Sequence, residues 1–227
     1  MAETPEIITV RDLVKTYHLG EVDVPALRGV SLGIRKSDFL VITGRNGSGK
    51  STLLHQLGLL DRPDSGELLL EGEDVTRMQE KKRTSLRLRY LGYIFQEFAL
   101  AEELTALENV MLPAMMIESV RTCRKRALEL LELVGLKGLD KHQPNQLSGG
   151  EQQKVAIARS LINDPVVLFA DEPTANLDSV AAGEVMNLFT NLNTDHQRTV
   201  VMITHEQEET RVGNRLIRLA DGVIVDE

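Results

Sequence analysis

The chain has 227 residues, 42% of them hydrophobic and 26% charged, and a net charge of −8. That length suits one α/β domain with a sizeable core, and that composition excludes a disordered chain. The acidic balance argues against a sequence-independent nucleic-acid binder, whose affinity rests on excess Lys and Arg, so no direct nucleic-acid partner is expected.

A single cysteine, Cys123, leaves no intramolecular disulfide and points to a reducing cytosol; on its helix it reads as a bystander thiol. The opening MAETPEIITV shows no secretory signal. No run of eighteen apolar residues occurs, so work at a membrane would require recruitment.

Ile7–Tyr17 and Leu27–Ile34 read as strands, with Gly20 and Pro25 punctuating the connection. Tyr17 on its own is a half-buried strand aromatic. Phe39–Ile42 is an unbroken apolar run, as expected of a strand buried on both faces of a parallel sheet. After it, GRNGSGKS fits G-x-x-x-x-G-K-[ST] through Gly44, Gly49, Lys50 and Ser51, and Thr52, Leu53, Leu54, Leu57 and Leu60 recur at helical spacing. Glycines let backbone N–H groups close around phosphate oxygens, and the helix start adds partial positive charge. Lys50 neutralises terminal phosphates and the Ser51 hydroxyl suits a Mg2+ position. Arg45, Asn46, Gly47, Ser48 and Thr52 complete the expected cradle. An accidental Gly/Ser turn would not explain the strand before it and the helix after it.

Glu67–Leu70 is a third strand of what reads as an antiparallel layer beside this loop. Thr76–Tyr90 is expected to be helical, with Thr76 and Gln79 in capping-box spacing. Its run Lys81, Lys82, Arg83, Arg87 and Arg89 reads as a solvated face. Leu91–Phe95 is a strand ending at Gln96. Thr105 and Glu108 repeat the capping box, and Thr122–Val134 is an amphipathic helix closed by Gly135. Glu97 to Ile157 therefore reads as a helical insertion. Met111, Met115 and Met116 fit equally a partner groove or a helix core.

In QLSGGEQQKVAIAR, Ser148 and Glu151 form a further capping box. The cap does not explain Gly149 and Gly150, each costing up to ~1 kcal/mol relative to alanine in a helix; close approach of a ligand to the backbone would. Val166–Ala170 is a buried strand ending in Asp171-Glu172, and Val200–Ile203 ends in Thr204-His205. Ligands sit at the carboxyl ends of strands in open α/β sheets, so these groups should converge on the glycine-rich loop. Adjacent acids suit metal and water chemistry. Taken singly, Asp171-Glu172 is also compatible with a plain strand exit before Pro173, His205 with a loop histidine, and Asp178 or Ser179 with a helix N-cap.

Together these residues resemble the ATP-binding cassette (ABC) ATPase family over nearly the whole chain. GRNGSGKS looks like its Walker A and VVLFADE like its Walker B. LSGGE (Leu147, Ser148, Gly149, Gly150, Glu151) looks like its signature. Gln96 matches the Q-loop, Ala175 with Asn176, Leu177 and Asp178 the D-loop, and His205 the H-loop. LGLLDRPDSGE and FALAEELTALENVMLP look most like the branch of lipoprotein-release and macrolide-export ATPases.

The resemblance implies a P-loop NTPase (RecA-like) α/β core with a parallel sheet. Residues 1–96 and 158–227 would form that core with its N-terminal antiparallel β layer, and 97–157 the helical subdomain of a single domain. It implies two copies in a head-to-tail homodimer sandwiching two ATP, with Ser148, Gly149 and Gly150 reaching the γ-phosphate in trans. Tyr17 would stack on adenine. Ser51, Gln96 and Asp171 would serve Mg2+, Glu172 would be the general base, and His205 would contact the γ-phosphate. Residues after Gln96, through about Leu112, would form the groove for an integral membrane permease, on the cytoplasmic face of the inner membrane.

Departures from the family pattern are Ser37, Arg45, Lys154 and Glu206, none at a position the chemistry requires. Two alternatives stay open: a soluble single-cassette ATPase of cofactor assembly or nucleic-acid maintenance, and a GTPase or small-molecule kinase. The latter lacks an N-K-x-D motif and any account of LSGGE.

Overall fold

The computed structural model describes residues 5–227. Its elements in chain order are β1 (Glu6–Leu19), β2 (Val22–Arg35), β3 (Phe39–Thr43), α1 (Lys50–Leu57), β4 (Ser65–Leu70), β5 (Glu73–Asp74), α2 (Glu80–Tyr90) and β6 (Leu91–Ile94). There follow α3 (Ala106–Met115), α4 (Val120–Leu133), α5 (Gly149–Leu161), β7 (Val167–Asp171), α6 (Ser179–Thr194), β8 (Thr199–Ile203), β9 (Arg215–Ala220) and β10 (Val223–Asp226).

The strands form two sheets. One has the order β10-β9-β3-β8-β7-β6, parallel except for the β9/β10 hairpin, and the other is the antiparallel β2-β1-β4-β5. Strand periodicity sorts β3 between two cores. Phe39 and Val41 join a cluster with α3, α4, α5 and α6, whereas Leu40 and Ile42 join one with α1 and the antiparallel sheet. Both faces of β3, β7 and β8 are thereby covered, which is why these strands read as continuous apolar runs. The three inserted helices share the first cluster with the sheet.

Several expectations need correction. Pro25 does not lie in the β1–β2 connection: it sits within β2, opposite Thr16. Residues 20 and 21 alone make the turn, Gly20 supplying φ +65°. β2 is an edge strand, where the missing N–H is tolerated. The Thr76–Gln79 capping box does not form. The helix starts at Glu80, and Thr76 Oγ1 instead accepts from the Leu68 N–H at 2.8 Å, pinning β4.

Nor is the basic run of α2 wholly solvated. Arg83 is 1% exposed, and its guanidinium donates to the carbonyls of Val75, Leu59 and Asp61. Arg87 donates to Leu59 O at 2.8 Å. Of the three methionines, Met111 is core, while Met115 and Met116 are exposed. Strands β5, β9 and β10 were not anticipated. Both remaining capping boxes are present, at Thr105–Glu108 and Ser148–Glu151, and Cys123 is buried on α4. Ser37 takes φ +65°, the left-handed turn in which glycine would be easier.

Candidate nucleotide site

Between β3 and α1 the chain makes a loop that only glycines could close. Gly44, Gly47 and Gly49 have φ +153°, +77° and +103°. A Cβ at Gly44 would lie 2.3 Å from Leu219 O, and one at Gly49 2.4 Å from Ala26 O. β9 and β2 thus press on the loop and hold its backbone around the start of α1. Two features suit it to an anion. Lys50 is 6% exposed, and its ammonium donates only to the loop carbonyls of Gly44 and Arg45, at 3.1 and 3.2 Å. Ser48 Oγ is buried and has no partner among the described residues. A buried cation and a free hydroxyl beside helical N–H groups suit phosphate oxygens. Arg45, Asn46 and Gly47 lie on the open side of the same loop.

The parallel register brings the expected groups to this end of the sheet. Ile42 and Asp171 both pair with Ile203, so the exits of β3, β7 and β8 adjoin. Ser51 Oγ donates to Asp171 Oδ1 at 3.5 Å. Burial raises the Asp171 carboxyl; neighbouring Glu172 adds to the rise, and His55, the Ser51 hydroxyl and Lys50 oppose it. Glu172 has φ +45°, and its N–H donates to Ile203 O at 3.1 Å. A non-glycine residue held there carries ~1–2 kcal/mol of strain. His205 lies between two carboxylates, Nδ1 3.3 Å from Glu172 Oε2 and Nε2 3.3 Å from Glu206 Oε1.

Tyr17 lies beside Thr52 at the start of α1, its hydroxyl donating to Asp61 Oδ2 at 2.9 Å. Burial raises the phenol above its ordinary value. Lys15 Nζ stands 5.2 Å from the ring centroid and 3.2 Å from Asp61 Oδ1. The sequence alone did not single out Asp61, which sits within LGLLDRPDSGE. Gln96 follows β6, and its carbonyl accepts from Asn176 Nδ2 at 3.0 Å. Phe98 and Ala99 are successive non-glycine residues in the left-handed region. Arg159 of α5 clamps both, donating to Phe98 O at 2.8 Å and to Ala99 O. Sequence reasoning also passed over Arg159, although it closes QLSGGEQQKVAIAR.

The signature residues stand apart from the glycine-rich loop of the same chain. Leu147 is buried, and Ser148 caps α5 reciprocally with Glu151, whose Oε2 accepts from the Ser148 N–H at 2.8 Å. That N–H and the Ser148 hydroxyl hold the Glu151 carboxyl below its usual range. Ser148, Gly150 and Glu151 border a cavity whose other walls include Asp178 and Ala181, and no residue of 44–51 lines it. The two glycines differ. A Cβ at Gly150 would lie 2.8 Å from Ala181 Cβ, whereas one at Gly149 would have Leu177 Cδ2 at 3.5 Å and the Phe98 ring at 3.7 Å, ordinary contacts. Asp178 is the N-cap of α6, accepting from Val180 and Ala181 N–H at 3.0 and 2.9 Å.

A mostly apolar groove of about 340 Å³ opens beside Gln96, walled by Leu60, Tyr93, Phe95, Pro113, Met116 and Arg159 among others. Of residues 97–112 only Ala99 lines it, so the groove is built chiefly by β6 and by the helices flanking it.

Residues 27–175 match the family model described as ABC transporter. The chain is 44% identical over 221 residues to the lipoprotein-releasing system ATP-binding protein LolD of Cytophaga hutchinsonii, covering 97% of this chain and 99% of that one. It is 46% identical over 221 residues to the macrolide export ATP-binding/permease protein MacB of Chlorobaculum tepidum, covering 97% of this chain and 34% of that protein. The chain therefore spans about a third of the length of the macrolide-export relatives it matches. An ATP-binding cassette solved as a dimer in a post-hydrolysis state with ADP and Pi superposes with a TM-score of 0.88 at 41% identity, covering 96% of both chains. The P-loop core, the glycine-rich loop and LSGGE together with these likenesses establish that the chain belongs to the ABC transporter family.

Proposed function

We propose that this chain is the ATP-hydrolysing subunit of a membrane transporter of the export or lipoprotein-release type. It acts as a head-to-tail pair of copies on the cytoplasmic face of the cell membrane. One observation carries the reading: the chain holds two separate anion-receptive helix starts, at α1 and α5, that do not share a site within one copy. A second copy turned head to tail brings the α5 start of one onto the phosphates cradled by the other. The dimeric cassette with ADP and Pi supports that arrangement. The shared core of α3–α5 and the sheet supports treating the whole chain as one unit, with 97–157 as its helical part. No helix among the described residues is long and apolar enough to cross a membrane. The apolar groove beside Gln96 is the surface offered to a permease.

Within each site Tyr17, already oriented by Asp61, receives the adenine. The N–H groups of 45–52 and Lys50 hold the phosphates, and Ser148 and Gly149 of the partner copy close over the γ-phosphate. Mg2+ would be held by the Ser51 hydroxyl, Gln96 and Asp171, and would supply neutralisation of the phosphate charge. The donors fit that ion: they are hard oxygens, one of them the Asp171 carboxylate already within reach of the Ser51 hydroxyl. Mg2+ customarily takes few protein ligands and completes its shell with phosphate and water. Glu172 orients and deprotonates the attacking water, and His205, at 3.3 Å, holds that carboxylate and reaches toward the γ-phosphate.

Glu172→Gln tests the assignment. It keeps the shape and removes the base, a loss of about 10²–10⁴ in turnover, while ATP binding persists and ATP drives the variant into a stable dimer on size-exclusion chromatography. Wild-type turnover in the variant removes Glu172 from its role.

A further inference from the structure

Glu209 is a carboxylate buried to 8% exposure, outside the groups used so far. It opens a short 3-10 turn, Glu209–Arg211, after β8. Its oxygens are engaged by hydroxyls: Oε1 accepts from Thr174 Oγ1, and Oε2 from Thr204 Oγ1 at 2.5 Å. Both threonines are themselves buried. Thr204 Oγ1 in turn accepts from the Glu206 N–H at 3.1 Å.

The cavity beside it, about 490 Å³, is faced by Glu172, Glu206 and Glu208, and His205 is the one basic residue in its wall. A buried carboxylate in such company carries a desolvation cost that an apolar side chain of similar size would avoid. What the carboxylate adds is two short charge-assisted hydrogen bonds, which are directional.

Their placement gives them a consequence. Thr174 lies two residues after Glu172 and begins the turn toward Asp178, its carbonyl accepting from the Leu177 N–H at 3.0 Å. Thr204 immediately precedes His205. A single carboxylate therefore joins the loop that carries Glu172 to the loop that carries His205. Glu172 also sits in a left-handed backbone conformation, which persists only where the surroundings hold it.

We propose that Glu209 is a positioning residue that sets Glu172 against His205 by holding Thr174 and Thr204 on one carboxylate. This rests on the ATPase reading above and adds to it a residue that touches neither nucleotide nor metal.

The test uses the full chain with Glu209→Gln, Thr174→Val and Thr174→Ser. In Glu209→Gln one of the two hydroxyls loses its acceptor; in Thr174→Val one bond is lost; in Thr174→Ser it is kept. The first two are expected to lower kcat at least tenfold with KM for ATP within twofold of wild type, and Thr174→Ser to stay within twofold in both. A readout free of turnover accompanies this. The five histidines give few ring resonances, and His205→Ala assigns the one of interest. Glu209→Gln is expected to shift that resonance and to leave those of His18 and His196 in place.

An unshifted His205 resonance, or kcat within twofold of wild type in both disrupting variants, overturns the proposal. So does a parallel fall of kcat, ATP affinity and melting temperature. Should Glu209→Gln fail to fold, the Thr174→Val and Thr174→Ser pair decides on kcat and on the resonance alike, equality overturning it. A wild-type chain without ATPase activity counts against the functional reading, while the resonance still decides the placement.

Discussion

Gly149 and Gly150 are adjacent, yet their surroundings predict opposite responses to alanine. At Gly150 the new methyl would lie 2.8 Å from Ala181 Cβ, between two helices whose backbones both have to give. Overpacking of that kind costs ~1–3 kcal/mol, and the helix propensity of alanine returns up to ~1 kcal/mol. At Gly149 the nearest atoms are at 3.5 and 3.7 Å, so only the propensity gain remains. In a chain of this size one kcal/mol moves Tm by roughly 2–4 °C. Gly150→Ala is therefore expected to lower Tm by up to about 8 °C, and Gly149→Ala to leave it level or raise it by up to about 4 °C, in thermal melts without nucleotide. Turnover separates the two further. Among the described residues nothing requires Gly149 to lack a side chain; if phosphate approaches there, as proposed, Gly149→Ala should lose more than about tenfold in kcat despite its stability, on the scale of a lost oxyanion donor. Wild-type turnover in Gly149→Ala would refute the ligand argument, and a Gly150→Ala chain that melts above wild type would refute the packing argument.

Two further expectations concern the periphery of the site. Burial opposes ionisation of Asp61, but the Arg62 N–H, the Tyr17 hydroxyl and Lys15 outweigh it and hold the carboxyl below its usual range. A depressed folded pKa stabilises above the unfolded value near ~4 and is lost as pH falls through the folded one. Asp61→Asn should melt about 2–4 °C below wild type at pH 7, for ~1 kcal/mol of hydrogen bonding, with the gap narrowing as the pH is taken down into acid; a gap that widens on acidification contradicts this. Met116 is 71% exposed on the groove rim. Met116→Lys should leave Tm and ATPase activity unchanged but release a multi-span membrane protein otherwise recovered by affinity purification from detergent-solubilised membranes. Undiminished recovery argues against the groove.

What was legible in the sequence and what was not divides along a physical line. β3, β7 and β8 announce themselves because both faces are buried, leaving no polar residue to interrupt the run. β9 and β10 do not. Exposed Leu216 and Arg218 alternate with buried Ile217 and Leu219, a short mixed alternation that also suits a loop. The Thr76–Gln79 spacing is sound as local chemistry, but the N–H of Leu68 on β4 takes the hydroxyl. Arg83 looks like a surface residue until the carbonyls of Leu59, Asp61 and Val75 are brought around it. The chemistry-bearing loops were readable because their residue types are scarce and ordered. Their supports, Asp61, Arg159 and Glu209, were not, because each acts through a partner many positions away.

Arg159 shows how closely those supports are joined. Two successive left-handed residues cost ~1–2 kcal/mol each, and Arg159 itself is desolvated, which lowers its pKa. Its hydrogen bonds to Phe98 and Ala99, each worth ~1.5–3 kcal/mol from a charged donor, can offset that strain. The clamp fixes Phe98, whose ring stands 3.7 Å from where a Cβ of Gly149 would be, while Asn176 Nδ2 donates to the Gln96 carbonyl. Arg159 and Ala99 also line the groove. A side chain seated in that groove therefore bears on the same guanidinium that holds the Phe98 and Ala99 carbonyls, and the Phe98 ring faces the start of α5. Gln96 cannot shift without moving Asn176 or breaking its 3.0 Å hydrogen bond. The groove proposed for a permease and the α5 start proposed for nucleotide thus meet at Phe98 and Ala99, held in a conformation that glycine would adopt freely and these side chains adopt only under restraint.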